Sequence, residues 1–325
     1  MEIRKLRIGD MLLSSNILMA PLAGYTCYPF RMLAYELGAG LCFTEMASAN
    51  ALKYDDKATK RLLFTTKEEP VRAVQLLGGT PAVMEQMAKS SLLKDFNIID
   101  INMGCPVPNV FKSGEGSALM LDRKRAAAII RGCKKSGKII TVKCRTGIRE
   151  DAMFAAEFAR LCEDAGADMI TVHGRSRSMM YDGKPYLEEI AHAKAAVKIP
   201  VIANGGIFSP HDACEVMDRT GVDGIMLARY GLENPFIFSV LTKKPCNKKP
   251  LQLLTEQLTL TLQYYDETFA LRYMKKLASY MMKKRKGTKK YKEQLYRSGS
   301  INELMDVIHL IFDEMEITGL YDGLL

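Results

Sequence analysis

Ile98-Ile99-Asp100-Ile101-Asn102-Met103-Gly104-Cys105-Pro106 runs from apolar, mostly β-branched residues into a polar turn. The run predicts a buried strand, and Asn102 to Pro106 the turn that leaves it. A thiol is thereby set just past the end of a core strand, where α/β proteins usually keep their chemistry. A cysteine taken alone is more often a small buried apolar residue. The turn residues around this one, and the rest of the chain, favour a working thiol.

Seven further apolar runs share this design, at residues 16–24, 41–46, 71–78, 139–145, 169–174, 200–206 and 224–229. Helical patterns lie between them. Pro81 to Leu93 follows Thr80 as N-cap, with Pro81 in the first turn. Asp122 to Lys135 follows an aspartate cap, Asp151 to Ala165 ends at Gly166, and Leu187 to Val197 and Pro210 to Arg219 complete the set. Residues 49–66 read as loop with some helix. Eight strands alternating with helices predict an α/β fold, a (β/α)8 TIM barrel. A doubly wound open sheet is the competitor, weakened because no G-x-G-x-x-G follows the first strand. Lys243 to Pro250 carries two prolines and four lysines and reads as a linker. Beyond it, Leu251 to Asp266, Ala270 to Lys286, Lys289 to Tyr296 and Ile301 to Met315 predict a C-terminal all-α helical bundle. The expected domains are therefore a barrel over 1–242, a linker over 243–250 and a helical domain over 251–325.

The chain has 325 residues, enough for one large domain and a smaller one. None of its eight cysteines forms a C-x-x-C pair and no Cys/His cluster has zinc spacing, so no metal is expected. The cysteines fit a reduced compartment. Apolar runs fall far short of the ~20 residues a membrane span needs. A cytoplasmic protein without membrane attachment, monomeric, is the expectation.

Polar residues in buried strands are costly unless they bond something. Here they collect at the carboxyl ends of the runs: Gln75 on the third, Asn102 and Cys105 on the fourth, Lys143 and Arg145 on the fifth, His173 on the sixth. Each has an ordinary structural alternative, such as Lys143 pairing with Glu45, or Gly205 and Gly206 forming a tight turn. That all would be structural and still share one rim is the less economical reading. Asn204-Gly205-Gly206 and Ala228-Arg229-Tyr230-Gly231 lie after strands seven and eight, where barrels often bind phosphate through backbone N–H groups. A flavin mononucleotide (FMN) suits one phosphate plus polar groups beside a flat ring.

These stretches resemble the tRNA-dihydrouridine synthases, FMN enzymes that reduce uridine in tRNA. The resemblance rests on residues 20–24, 74–78, 100–106, 114–120, 141–147, 172–175 and 201–206. It implies that Pro21, Leu22 and Ala23 contact the flavin ring, and that Gln75, Lys143 and His173 bind its polar edge. Asn204, Gly205, Gly206, Ala228 and Arg229 would hold the phosphate, and Asn102 would sit beside the substrate base. Arg145, Arg175 and Arg177 are candidate substrate contacts. Three positions depart from the family's usual residues: Leu22 for Met, Gly206 for Asp and Ala228 for Gly. None removes a group the reaction needs. The implied chemistry is hydride transfer from the flavin to C6 of uracil and protonation of C5 by Cys105; an ordinary thiol is mostly protonated at neutral pH. NADPH (or NADH) would visit as electron donor. Val107 to Glu115 is expected to be a mobile loop over the base.

Residues 271–297 hold eleven Lys or Arg against one acid, a net +10 in a chain of net +9. On a helix, Arg272, Lys275, Lys276, Lys283 and Lys286 share one broad face, extended by Lys284 and Arg285. Charge runs are often merely solvated faces, but this one-sided cluster beside tyrosines predicts contact with tRNA phosphates. A uridine within folded tRNA must swing out to reach a barrel mouth. The alternatives are an FMN oxidoreductase of a free pyrimidine, a non-catalytic RNA-binding protein, and a sugar-phosphate isomerase.

Overall fold

A computed structural model of the chain describes residues 3–283 and 288–317. Eight parallel strands close into a barrel: β1 (Ile17–Met19), β2 (Leu41–Ser48), β3 (Ala73–Leu77), β4 (Ile98–Met103), β5 (Ile139–Arg145), β6 (Met169–His173), β7 (Val201–Asn204) and β8 (Gly224–Leu227). Each pairs with its sequence neighbours, and β8 pairs with β1. The strands read as nearly continuous apolar runs because both of their faces are covered.

Alternation along each strand sorts the residues. On β4, Ile99, Ile101 and Met103 pack outward in the large core beneath the helices. Ile98 joins Leu18, Leu41, Phe43, Ala73, Met169, Ile202 and Met226 in a separate apolar cluster. That cluster is the floor of the barrel, and Asp100 and Asn102 continue the same face upward. By the same parity Gln75 stands above Ala73, Lys143 above Ile139 and Thr141, His173 above Met169, and Asn204 above Ile202.

Helices α1 (Tyr28–Glu36), α2 (Pro81–Ala88), α3 (Arg123–Lys134), α4 (Ala155–Asp164), α5 (Leu187–Ala196) and α6 (Pro210–Thr220) surround the strands. Asp122 caps α3 through the Arg125 N–H, and Ser209 caps α6 through the Asp212 N–H. Gly221, at φ +64°, ends α6 in the left-handed conformation. Thr80 precedes Pro81 as expected, but its hydroxyl makes no capping bond.

Three features depart from the expectations. A hairpin of Leu6–Ile8 against Met11–Leu13 seals the barrel floor, with Leu6, Ile8 and Leu13 buried in the floor cluster. The helix expected from Asp151 begins only at Ala155, because Ala152–Met153 pairs with Gly147–Arg149 in a small hairpin beyond β5. The helix α1 follows a turn that local periodicity leaves unmarked. Residues 49–66 hold two one-turn helices, Ala49–Lys53 and Lys57–Arg61.

After α7 (Arg229–Glu233) and α8 (Ile237–Thr242) come the bundle helices α9 (Pro250–Tyr264), α10 (Glu267–Met281), α11 (Lys292–Arg297) and α12 (Ile301–Ile317). Their seam with the barrel is aromatic. Tyr28, Phe64 and Tyr264 meet at centroid distances of 5.2–5.3 Å, and Tyr25 meets Tyr280 edge-on at 5.0 Å. Gln257 ties the two parts, donating to the Pro29 carbonyl at 3.0 Å while accepting from the Tyr273 hydroxyl at 2.9 Å. Beneath the seam, Arg31 grips Glu69 through Nε at 2.6 Å and a second nitrogen at 2.9 Å, both side chains fully buried.

Candidate active site

The carboxyl ends of the strands open into a cavity of about 290 Å³. Around it stand Pro21, Leu22 and Ala23 after β1, Gln75 on β3, Asn102 and Cys105 from β4, Lys143 and Arg145 on β5, and His173 and Arg175 from β6. Asn204, Gly205 and Gly206 after β7, with Ala228 and Arg229 after β8, close the ring. Every expected flavin contact is thus at one cavity, together with the thiol. Arg177 is not. Its guanidinium lies 3.9 Å from the ring centroid of Phe111, holding the segment after Cys105 against the loop after β6. That segment contains a one-turn helix, Pro108–Lys112.

Cys105 is half-buried and held from two sides. Asn102 Oδ1 accepts the backbone N–H groups of Gly104 (3.2 Å) and Cys105 (2.9 Å). Ser117 donates both its N–H (3.1 Å) and its hydroxyl (2.8 Å) to the Cys105 carbonyl. Gly116 makes that approach possible: at φ +58°, a Cβ there would fall 2.9 Å from the Cys105 Cβ. Gly104 in turn receives Arg145, whose Nε donates to its carbonyl at 2.8 Å.

The other candidate arginines serve the scaffold as well. Arg145 also donates to the Ser176 and Met180 carbonyls, each at 2.8 Å. Arg175 donates to the carbonyls of Asp182 (2.9 Å) and Gly183 (2.7 Å) and reaches His173 Nε2 at 3.3 Å. Both line the cavity while holding the loop after β6.

Lys143 does not pair with Glu45. Its Nζ donates to Asn204 Oδ1 at 3.0 Å, and Asn204 Nδ2 donates to the Met226 carbonyl at 2.7 Å. Burial, and then the nearby Arg145, push the Lys143 ammonium down to about 8. His173 is held well below its usual value by burial and by the cations Lys143, Arg145, Arg175 and Arg229, so it is neutral at physiological pH. Four cations facing one cavity, with a single buried carboxylate beneath them, make a site for an anion.

The backbone after β7 borders this cavity and is packed tightly against its neighbours. Gly205 stands at φ +100°, and a Cβ there would lie 2.5 Å from His173 Cδ2; at Gly206, φ +76°, it would lie 2.5 Å from Pro185 Cγ. Only glycine fits both positions. The chemistry of this donor set suits a flavin mononucleotide: cations for a phosphate and an electron-rich ring edge, small residues where a backbone must approach.

Sequence patterns missed two contributors. Tyr181, in the loop after β6, lines the cavity with its ring 5.7 Å from the Arg145 guanidinium and 5.3 Å from that of Arg229. Its only local signal was an aromatic in a glycine-bearing loop. Asp100 lies below the cavity, completely buried, and its signal was a carboxylate within an apolar strand.

The basic cluster is divided. Arg272 and Lys276 are exposed on α10. Lys275 donates to the carbonyls of Tyr296 (3.0 Å) and Ser298, closing the end of α11. The helix ends at Met281, short of the expected Lys286, so Lys283 sits in the following turn, where it pairs with the buried Glu233 at 3.1 Å. Lys284, Arg285 and Lys286 lie outside the described residues.

A family model described as dihydrouridine synthase matches residues 18–314. The chain belongs to the dihydrouridine synthase family. It is 32% identical over 323 residues to tRNA-dihydrouridine synthase B of Pseudomonas aeruginosa, covering 96% of this chain and 97% of that one. To tRNA-dihydrouridine synthase B of Salmonella typhimurium it is 37% identical over 234 residues, 72% of this chain and 73% of that one. Among solved structures, histamine dehydrogenase from Rhizobium sp. 4-9 aligns with a TM-score of 0.58 at 15% identity, over 79% of this chain and 50% of that one. A morphinone reductase in complex with tetrahydroNAD aligns at 0.54 and 11%, over 73% and 90%. These structures share the barrel fold with this dihydrouridine synthase family member. No helix among the described residues is long and apolar enough to cross a membrane.

Proposed function

We propose that this dihydrouridine synthase family member reduces a uridine of tRNA to 5,6-dihydrouridine, using flavin mononucleotide and NADPH (or NADH). The observation that carries the reading is the convergence of a half-buried thiol and an anion-binding rim on one cavity. When bound, the flavin supplies hydride to C6 of the uracil. The chain's residues do the rest. Lys143 and Arg229 offer charge to the phosphate and the ring edge, while neutral His173 offers a hydrogen bond without charge. Pro21, Leu22 and Ala23 present an apolar face to the ring. Cys105 delivers the proton to C5 from the opposite face, from a turn that Asn102, Ser117 and Arg145 hold in place. Cationic groups beside the cavity favour the negative charge that develops on the uracil carbonyl oxygens.

Arg272 and Lys276, exposed on α10, are placed to meet tRNA phosphates. Lys275 closes the end of α11, and Lys283 ties the end of α10 to Glu233 on α7. A rigid platform suits a reaction in which one uridine must be swung into a fixed cavity.

The test is anaerobic. Purified protein should carry a flavin spectrum, and NADPH consumption should depend on unmodified tRNA, with free uracil and orotate inert. Replacing Cys105 by Ala should slow tRNA reduction by about 10²–10⁴-fold while flavin reduction by NADPH persists. Reduction of orotate at a comparable rate, or a full rate in the Cys105 variant, would overturn the reading. Mapping dihydrouridine in tRNA from a deletion strain identifies the position modified.

A further inference from the structure

Below the cavity, a chain of buried hydrogen bonds runs from Asp100, which the proposed chemistry does not use, up to the Cys105 turn. Strand register sets Gln75 beside Asp100, and Asp100 beside Thr141. Gln75 Nε2 donates to Asp100 Oδ2 at 2.6 Å, and the Thr141 hydroxyl donates to Asp100 Oδ1 at 2.6 Å. Asn102 Nδ2 donates to Gln75 Oε1 at 2.9 Å, and Asn102 Oδ1 accepts the Cys105 N–H at 2.9 Å. Asp100 is completely buried and does not line the cavity.

We propose that Asp100 is a positioning residue that holds the turn carrying Cys105, acting through the side-chain amides of Gln75 and Asn102. The proposal rests on the reading of Cys105 as proton donor. Its logic is the direction of the bonds. An ionised carboxylate can only accept. Gln75 must therefore turn its NH2 toward Asp100, which leaves its carbonyl oxygen facing Asn102. Asn102 must then turn its NH2 toward Gln75, which leaves its own oxygen to receive the N–H groups of Gly104 and Cys105. Reversing either amide would set two donors against each other in a dry interior, where an unmet donor is costly. The carboxylate at one end and the two backbone N–H groups at the other thus allow a single orientation for both amides between them. Burial pushes Asp100 up to about 6, and Lys143 on the next strand favours the charged form, so the acceptor is in place at neutral pH.

The test compares Asp100→Asn, Asp100→Leu and the milder Thr141→Val. Asparagine can keep the direction, with its oxygen toward Gln75 and its NH2 toward the Thr141 hydroxyl. Leucine fills the space and supplies no acceptor. In stopped flow, reduction of the bound flavin by NADPH should stay within about twofold of wild type in all three, since that step needs no proton from Cys105. Reoxidation by tRNA should fall about tenfold or more in Asp100→Leu, less in Thr141→Val, and least in Asp100→Asn. Independently of tRNA, alkylation of Cys105 by iodoacetamide, followed on its peptide by mass spectrometry, should change several-fold in Asp100→Leu and little in Asp100→Asn. Should Asp100→Leu not fold, Thr141→Val carries the comparison. Equal losses in both half-reactions, or an Asp100→Asn as impaired as Asp100→Leu, would overturn the proposal. A wild-type protein inert toward tRNA would instead overturn the functional reading, and the alkylation result would still decide the role of Asp100.

Discussion

Replacing Lys143 by Met should stabilise the flavin-free protein and cost it its flavin. Lys143 falls from 10.5 to about 8, with burial the main cause. A depressed ammonium means that the fold disfavours the charged form. Below pH 8 both folded and unfolded chains carry the proton, and the penalty is fully present; above 10.5 neither does, and it is gone. The shift corresponds to ~3 kcal/mol. Lys143 is only half-buried in area, so water in the cavity reduces this to ~2 kcal/mol. Against it stands the lost bond to Asn204, ~1 kcal/mol. The net gain at pH 7 is ~1 kcal/mol, or about 1–2 °C in a chain of this length. Flavin affinity should fall about 10- to 100-fold, the contribution of a charged hydrogen bond. Thermal melting of flavin-stripped wild type and variant at pH 7 and 10, with flavin fluorescence titration, measures both. Wild type should catch up with the variant as pH rises from 8 toward 10.5. A variant less stable at pH 7, with a gap that does not move with pH, would mean that burial does not penalise the Lys143 ammonium.

Other outcomes follow from single contacts. Gly205→Ala forces a side chain into φ +100° and against the buried His173 ring, so flavin content should drop at least tenfold, read by the absorbance ratio of purified protein. Glu69→Ala leaves the Arg31 guanidinium charged and buried without its partner, and should destabilise the chain by ~3–5 kcal/mol in urea unfolding. Reversing Arg272 and Lys276 to Glu should weaken tRNA binding and flatten its dependence on salt. Lys275→Met should chiefly lower melting temperature, because that ammonium closes α11; a loss of tRNA affinity without a melting shift would contradict this assignment.

Much of the site was legible because a strand has period two and a barrel has one inside. Once the runs at 98–103, 139–145 and 169–173 are strands of a barrel, Asn102, Lys143 and His173 must share the interior face above an apolar floor. Their type and spacing are local facts, so the chain alone sufficed for the barrel and for placing these strand-end residues on one rim, while Tyr181 in the loop after β6 was missed and Arg177 was wrongly counted with them. What it did not disclose is which groups bond which. Arg177 stacks on Phe111, away from the cavity, and Arg145 binds three backbone carbonyls. Lys143 chooses Asn204, 61 residues away, over Glu45. The floor hairpin escaped notice because three-residue strands leave no period to read. Charge patterning likewise marked the bundle as basic but could not tell exposed Arg272 and Lys276 from Lys275 and Lys283, which face carbonyls and a carboxylate. Strand periodicity, set by backbone geometry, was enough to put the strand-borne residues Gln75, Asn102, Lys143, His173 and Asn204 at the barrel mouth, but not the loop residue Tyr181. Tertiary structure decided their partners, and so which of them are left for a ligand, since a hydrogen bond depends on distances across strands and loops that no local pattern encodes.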